Sequence, residues 1–193
     1  MIELLPSCED VLDAGCGHGA FTIEMSKYTN HICAFDFAVE MIQIAEQLKT
    51  EAQTKNVDFF CATTKESLPF KPEQFDLIYD RRGPTSIINH IHLLKNDGLI
   101  FGIHSGELDL IKQRLNENGF SEIEITTYSD VYLCFPAEDD FARYLSASHM
   151  NPDYTLPENR DEFNGLLKKH IVNGEILFQQ IRYVWSARKA AKG

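Results

Sequence analysis

Val11-Leu12-Asp13-Ala14-Gly15-Cys16-Gly17-His18-Gly19 is the stretch that decides the fold. Val11-Leu12 reads as the end of a buried strand. The glycines let backbone approach a ligand closely, and Ala20-Phe21-Thr22-Ile23 begins an amphipathic helix. A strand, tight turn and helix of this kind often hold a pyrophosphate on the helix N-terminus. The spacing here argues against that ligand: dinucleotide sites carry G-x-G-x-x-G, whereas this loop is G-x-G-x-G with Ala20 at the third pattern position. Asp13 adds a second objection. Two like charges about 5 Å apart at an effective dielectric of about 20 repel by roughly 3 kcal/mol, which disfavours a nicotinamide dinucleotide. A ligand bearing an amino group or a sulfonium would be attracted instead.

Outward from this unit, strand and helix alternate through the first two thirds of the chain, which predicts a doubly wound, mostly parallel α/β sheet covered on both faces. Strands are expected at 9–14, 31–36, 57–61, 75–80 and 98–103. Helices are expected near 20–28, 38–53 and 84–95, with Asn96-Asp97-Gly98 as the turn into the fifth strand. Gly106 to Asn118 reads as a helix stopped by Gly119, and Ile123-Glu124-Ile125-Thr126 alternates like a half-exposed strand. The last third reads as two helices, Pro136 to Met150 and Pro157 to Val172, before a long final strand, Glu175 to Arg188.

The loop, an acidic residue followed by G-x-G-x-G, resembles the first motif of the class I (Rossmann-like) S-adenosylmethionine-dependent methyltransferases. Three further passages match in order. Ile32-Cys33-Ala34-Phe35 reads as the second strand and ends in Asp36, where such folds place an acid for ribose hydroxyls. Phe37 and Met41 fall in the stretch that lines the adenine. Leu68-Pro69-Phe70 followed by Phe75-Asp76-Leu77-Ile78-Tyr79 resembles the family's passage into strand four. The resemblance covers roughly residues 8 to 128 and implies a seven-stranded sheet with an antiparallel edge strand, in one methyltransferase domain over 1–193. The helical pair then becomes an insertion before the last strand, at about 136–173, expected to cap the substrate site. The cofactor implied is S-adenosylmethionine, held by Asp13, Ala14, Gly15, Cys16, Gly17, Asp36, Phe37, Met41, Thr63, Thr64 and Asp80. Thr64 stands where family members often carry an aspartate for the adenine amino group. Relatives also have a helical segment ahead of the first strand, where this chain has only Met1 to Pro6. Either the sequence is shortened or its lid comes from elsewhere.

The chain has 193 residues, enough for one domain with a substantial core, and no apolar run approaching a membrane span. It lacks a secretory leader pattern, so a cytoplasmic protein is expected. Cys8, Cys16, Cys33, Cys61 and Cys134 form no CxxC pair and read as reduced, small apolar residues. No metal is expected, since His90 and His92 are two apart on an expected helix and point in different directions. A formal charge of −11 argues against a broad nucleic-acid surface but not against RNA gripped locally.

Methyl transfer from a sulfonium is an in-line displacement in which positioning supplies much of the rate. A base is needed only where the nucleophile must lose a proton. After strand four, members that methylate bases or amides often show Asp or Asn, Pro, Pro and an aromatic; this chain has Asp80-Arg81-Arg82-Gly83-Pro84. Arg81 and Arg82 suit a carboxylate or phosphate on the substrate, or else pair with Asp80 or a cap carboxylate. His104 reads as a base or as a hydrogen-bonded structural histidine. Trp185 and Arg182 read as edge-strand packing. The cap aromatics Phe135, Phe141, Tyr144, Tyr154 and Phe163 either line a pocket or pin the helices. A small-molecule acceptor is the leading expectation; an RNA base, or cofactor binding without catalysis, are the alternatives.

Overall fold

Residues 2–148 and 150–190 are described by the computed structural model. Met1 and 191–193, the ends of the expected 1–193 domain, lie outside the described residues, as does position 149 of the expected Pro136–Met150 helix. The first part of the chain runs β1 (Asp10–Ala14), α1 (Ala20–Met25), β2 (His31–Asp36), α2 (Val39–Glu51), β3 (Val57–Cys61), β4 (Phe75–Arg81), β5 (Leu94–His104), α3 (Leu108–Glu117) and β6 (Phe120–Phe135). After it come α4 (Glu138–Ser146), α5 (Arg160–His170), the two-residue β7 (Ile171–Val172) and β8 (Glu175–Lys189). The sheet order is β3-β2-β1-β4-β5-β8-β6, with β7 paired to β8. Strands β1 to β5 pair in parallel, whereas β8 lies antiparallel to β5. The mixed sheet with its antiparallel edge is the one expected, with β7 as a short eighth strand.

Period-two alternation sorts the strand side chains to two faces. Leu12, Ala14, Cys33, Phe35, Ile78, Ile100 and Trp185 join one buried cluster, while Val11, Ile32, Val57, Leu77, Tyr79 and Met25 join the other. Phe70 packs edge-on against Phe60 and Phe75. Asp76 clamps the start of β1: its Oδ2 accepts from the backbone N–H of both Glu9 and Asp10 at 3.0 Å.

Several element boundaries differ from expectation for local reasons. The expected helix at 84–95 is a 3-10 segment, Thr85–Leu93, kinked at His90; Thr85, Ile87, Ile88 and Ile91 are β-branched and poor helix formers. Asn96-Asp97-Gly98 lies inside β5 as a bulge, with the register jumping from Phe75↔Leu94 to Leu77↔Leu99. Ile171 and Val172, expected at the end of a helix, pair instead with Ile176 and Glu175 as a tight hairpin. Strand β6 runs nine residues past Thr126, to Phe135.

The chain divides into two compact units: 1–127 with 182–193, and 128–181. The smaller unit has its own core of Phe141, Ala142, Tyr154, Phe163, Leu167 and Ile176. Phe141 and Phe163, fully buried, and Tyr154 therefore pin helices, whereas Tyr144 is exposed. Among the described residues, no helix is long and apolar enough to cross a membrane.

Candidate cofactor and acceptor site

In the larger unit, strand order reverses about β1, which has β2 on one side and β4 on the other. Ligands of open parallel sheets bind beyond the carboxyl ends of the strands at such a point. A cleft of about 270 Å³ opens there, lined from the loop after β1 by Gly15 and from the end of β2 by Phe35, Asp36 and Phe37. Ala62, Thr63 and Thr64 after β3, and Arg82, Gly83 and Pro84 after β4, complete it.

Backbone conformation shapes this cleft. Gly15, Gly17 and Gly19 have φ of 80°, 54° and 75°, a left-handed run that side chains resist. The N–H groups of Gly15 and Cys16 both bond to the Phe35 carbonyl. Asp36 joins the loops after β1 and β2: Oδ2 accepts from Gly17 N at 2.9 Å and Oδ1 from Ala38 N at 3.0 Å. Each carboxylate oxygen can accept again, so Asp36 retains capacity for ligand hydroxyls. On the other wall, a Cβ on Gly83 would stand 2.1 Å from the Ala14 carbonyl oxygen, and one on Gly15 would stand 2.7 Å from Gly83 Cα. Phe37 is 78% exposed at the cleft mouth. The Thr64 and Ser86 hydroxyls are 2.6 Å apart, and the Thr64 carbonyl faces His90 Nε2 at 3.1 Å.

Asp13 lies on the opposite face of β1 from this cleft. Its Oδ2 accepts from the hydroxyls of Thr22 at 2.6 Å and Tyr79 at 2.8 Å. Burial pushes its carboxyl up to about 6, against the two hydroxyl bonds and the nearby Arg81 charge. Asp13 thus supports the loop from beneath. Burial, then the Asp13 and Asp36 charges, push the Cys16 thiol far up, so it remains a protonated thiol beside the loop.

Asp80, fully buried, holds the loop after β4 through Oδ1, which accepts from Gly83 N at 2.6 Å. Its Oδ2 faces His104 Nε2 at 3.2 Å, an ion-pair distance without hydrogen-bond alignment, so both atoms lack a hydrogen-bond partner among the described residues. The indole N–H of Trp185 donates to His104 Nδ1 at 3.1 Å, which assigns the imidazole proton to Nε2. Trp185 reaches this position because Gly102 has no side chain; a Cβ there would fall 2.2 Å from the indole. His104 therefore braces Asp80, and its ring nitrogens face protein on both sides.

Arg81 and Arg82 border a second, wider cleft of about 690 Å³, walled by Phe21, Met25 and Ile103. Arg182, expected to pack at an edge, lines it too. Of the expected cofactor residues, Gly15, Asp36, Phe37, Thr63 and Thr64 meet in the first cleft; Ala14, Cys16, Gly17 and Asp80 touch its lining residues without lining it, and Met41 does not line it. Gly83 and Pro84 were not anticipated as walls; a glycine just after a strand end was the available signal.

Residues 11–98 match the methyltransferase-domain family. A phosphoethanolamine N-methyltransferase of Triticum aestivum is 37% identical over 82 residues, 41% of this chain and 16% of that protein. The 23S rRNA (uracil(1939)-C(5))-methyltransferase RlmD of Haemophilus influenzae is 30% identical over 97 residues, 47% of this chain and 22% of that protein. The chain thus spans well under half the length of the curated relatives it matches. Among solved structures, the YcgJ protein of Bacillus subtilis superposes with a TM-score of 0.74 at 16% identity, over 100% of this chain and 97% of that one. Residues 11–98 are therefore similar to a methyltransferase domain, and the fold of the chain is that of the YcgJ protein.

Proposed function

We propose that the chain transfers a methyl group from S-adenosylmethionine to a small-molecule acceptor. The observation that carries this reading is the cleft at the β1/β4 reversal. A left-handed glycine loop, a carboxylate with spare acceptor capacity and an exposed aromatic converge there within the matched span. The residues fit the cofactor: Gly15 and Gly83 let the loops after β1 and β4 close against each other as walls of the cleft, Asp36 suits ribose hydroxyls, and Phe37 offers a face to adenine. The bound cofactor supplies an electrophilic methyl group on a sulfonium.

The protein's own contribution is positional. Asp36 and the loop backbone orient the nucleoside, while Asp80, through Gly83 N, sets the wall between the two clefts. His104 and Trp185 keep Asp80 in place and take no proton from the acceptor in this reading. Calorimetry with S-adenosylmethionine, S-adenosylhomocysteine and NAD tests the cofactor assignment: the first two bind and NAD does not. Tight NAD binding without the other two would sink it.

A second reading, methylation of an RNA base, draws support from the rRNA-methylating relative. Transfer of labelled methyl into a metabolite pool rather than total RNA supports the small-molecule acceptor; label in RNA alone overturns it. Cofactor binding with label in neither pool would support binding without catalysis.

A further inference from the structure

The wider cleft concentrates positive charge on a chain whose formal net charge is −11. Arg81 comes from the end of β4, Arg82 from the loop after it, and Arg182 from β8; the strand positions are joined through β5, which pairs with both β4 and β8. Among the described residues, Glu3 is the carboxylate lining the same cleft. The guanidinium of Arg81 lies 3.8 Å over the Phe21 ring, which holds its planar fork in one orientation. Arg82 has φ of 65°, a conformation that an arginine adopts at a cost. The loop sustains it with a bond from Arg82 N to the Ile103 carbonyl, and Arg82 is the residue common to both clefts. Beside these cations stands an apolar wall of Phe21, Met25 and Ile103.

We infer that this cleft is the acceptor site and that it takes a small molecule with a phosphate or carboxylate group attached to an apolar portion. The identification of the site rests on the methyltransferase reading; the ligand class rests on the cleft. Planar guanidinium forks match the oxygens of either anion with paired charge-assisted bonds, and the wall accepts the apolar remainder. Arg82, touching both spaces, ties the anion's position to the cofactor wall. The strain at Arg82 is then explained: glycine would fit its backbone better but could not bind an anion.

The probes are phenyl phosphate, benzoate and neutral benzyl alcohol, with binding followed by ligand-observed NMR and S-adenosylhomocysteine affinity measured separately by calorimetry. Phenyl phosphate and benzoate are expected to bind, more weakly at high salt, and benzyl alcohol at least tenfold more weakly than either. Arg81→Gln and Arg182→Gln each weaken phenyl phosphate about tenfold and leave S-adenosylhomocysteine affinity within twofold. Arg82→Gly weakens phenyl phosphate while the melting temperature holds or rises, which separates lost charge from lost fold. Equal binding of benzyl alcohol and phenyl phosphate overturns the inference, as does unchanged phenyl phosphate affinity in all three variants. A single-stranded RNA ten-mer that displaces phenyl phosphate at equal phosphate concentration overturns the small-molecule class. Normal S-adenosylhomocysteine binding with no anion binding defeats this inference alone. Anion binding without S-adenosylhomocysteine binding defeats the cofactor reading while the anion site stands.

Discussion

The two clefts of the larger unit are built from different materials. The narrower one is shaped by backbone: glycines in left-handed conformations, N–H groups fixed to the Phe35 carbonyl, and Asp36 bonding to two further N–H groups. The wider one is shaped by side chains, with arginines from two strands and a loop projecting beside Phe21 and Ile103. A ligand shared by many enzymes can be held by features that any chain with this turn provides. A ligand particular to one enzyme needs side chains that can change without disturbing the turn. Substitutions in the backbone-built walls of the first cleft should therefore damage fold and cofactor binding together, and substitutions at the second should affect anion binding alone.

The largest effect is expected at the wall between them. Gly83→Ala drives a methyl group into the Ala14 carbonyl, 2.1 Å from its ideal position, and backbone on both sides has no easy way to give. We expect a loss of about 3 kcal/mol or more of stability, measured by urea unfolding, with cofactor binding abolished. A well-folded variant that still binds S-adenosylhomocysteine would show that the wall moves freely, and the contrast between the clefts would fail.

Asp13 tests the support beneath the loop. Its folded carboxyl, at about 6, lies above the unfolded value of 3.8, so the protein relatively favours the protonated form. That advantage is fully present below about pH 4 and is lost as pH rises through about 6; the linked change is about 3 kcal/mol. Asp13→Asn keeps an oxygen for the Thr22 and Tyr79 hydroxyls and removes the charge. The variant should match wild type near pH 4 and exceed it by about 2 to 3 kcal/mol at pH 8. A pH-independent difference between the two proteins would refute the burial argument.

Asp36→Ala should weaken S-adenosylhomocysteine by about 1.5 to 3 kcal/mol, because charged hydrogen bonds are lost and Gly17 N and Ala38 N lose their acceptor. Unchanged affinity would remove Asp36 from the site. Asp36→Asn separates the two contributions: an amide oxygen retains one backbone acceptor without the charge.

The contrast also explains what could be read from the chain. Gly15 and Gly17 were legible because positive φ favours glycine and so leaves a local mark, and Asp36 because it ends a buried apolar strand. Even the face of Asp13 is implicit in strand alternation, since it shares parity with Val11 and falls on the side of Tyr79. Arg182 was not legible. It enters the cleft because β8 runs antiparallel beside β5, with Tyr183 opposite His104, and nothing near Arg182 in sequence marks that pairing. The partnership of Trp185 with His104 spans 81 residues and depends on the missing side chain of Gly102. Strand β6 continues to Phe135 through the polar run Thr126-Thr127-Tyr128-Ser129-Asp130, which breaks the apolar alternation of Ile123 to Ile125 and so leaves no sequence mark of the strand.

Phe37 gives the smallest and most selective test. At 78% exposure it contributes little packing, so Phe37→Ala should change stability by no more than about 0.5 kcal/mol. A large exposed aromatic on the rim of an otherwise backbone-built cleft has its value in what stacks on it. Truncation should therefore weaken S-adenosylhomocysteine by about 1 to 2 kcal/mol, as loss of a base-stacking ring does elsewhere, and leave phenyl phosphate unaffected. Replacement by Trp should restore the lost affinity, because any broad π-face serves. If Phe37→Ala binds the nucleoside as well as wild type does, adenine sits deeper, against Thr63 and Thr64, and recognition in the narrower cleft is carried by backbone still more completely than its geometry implies.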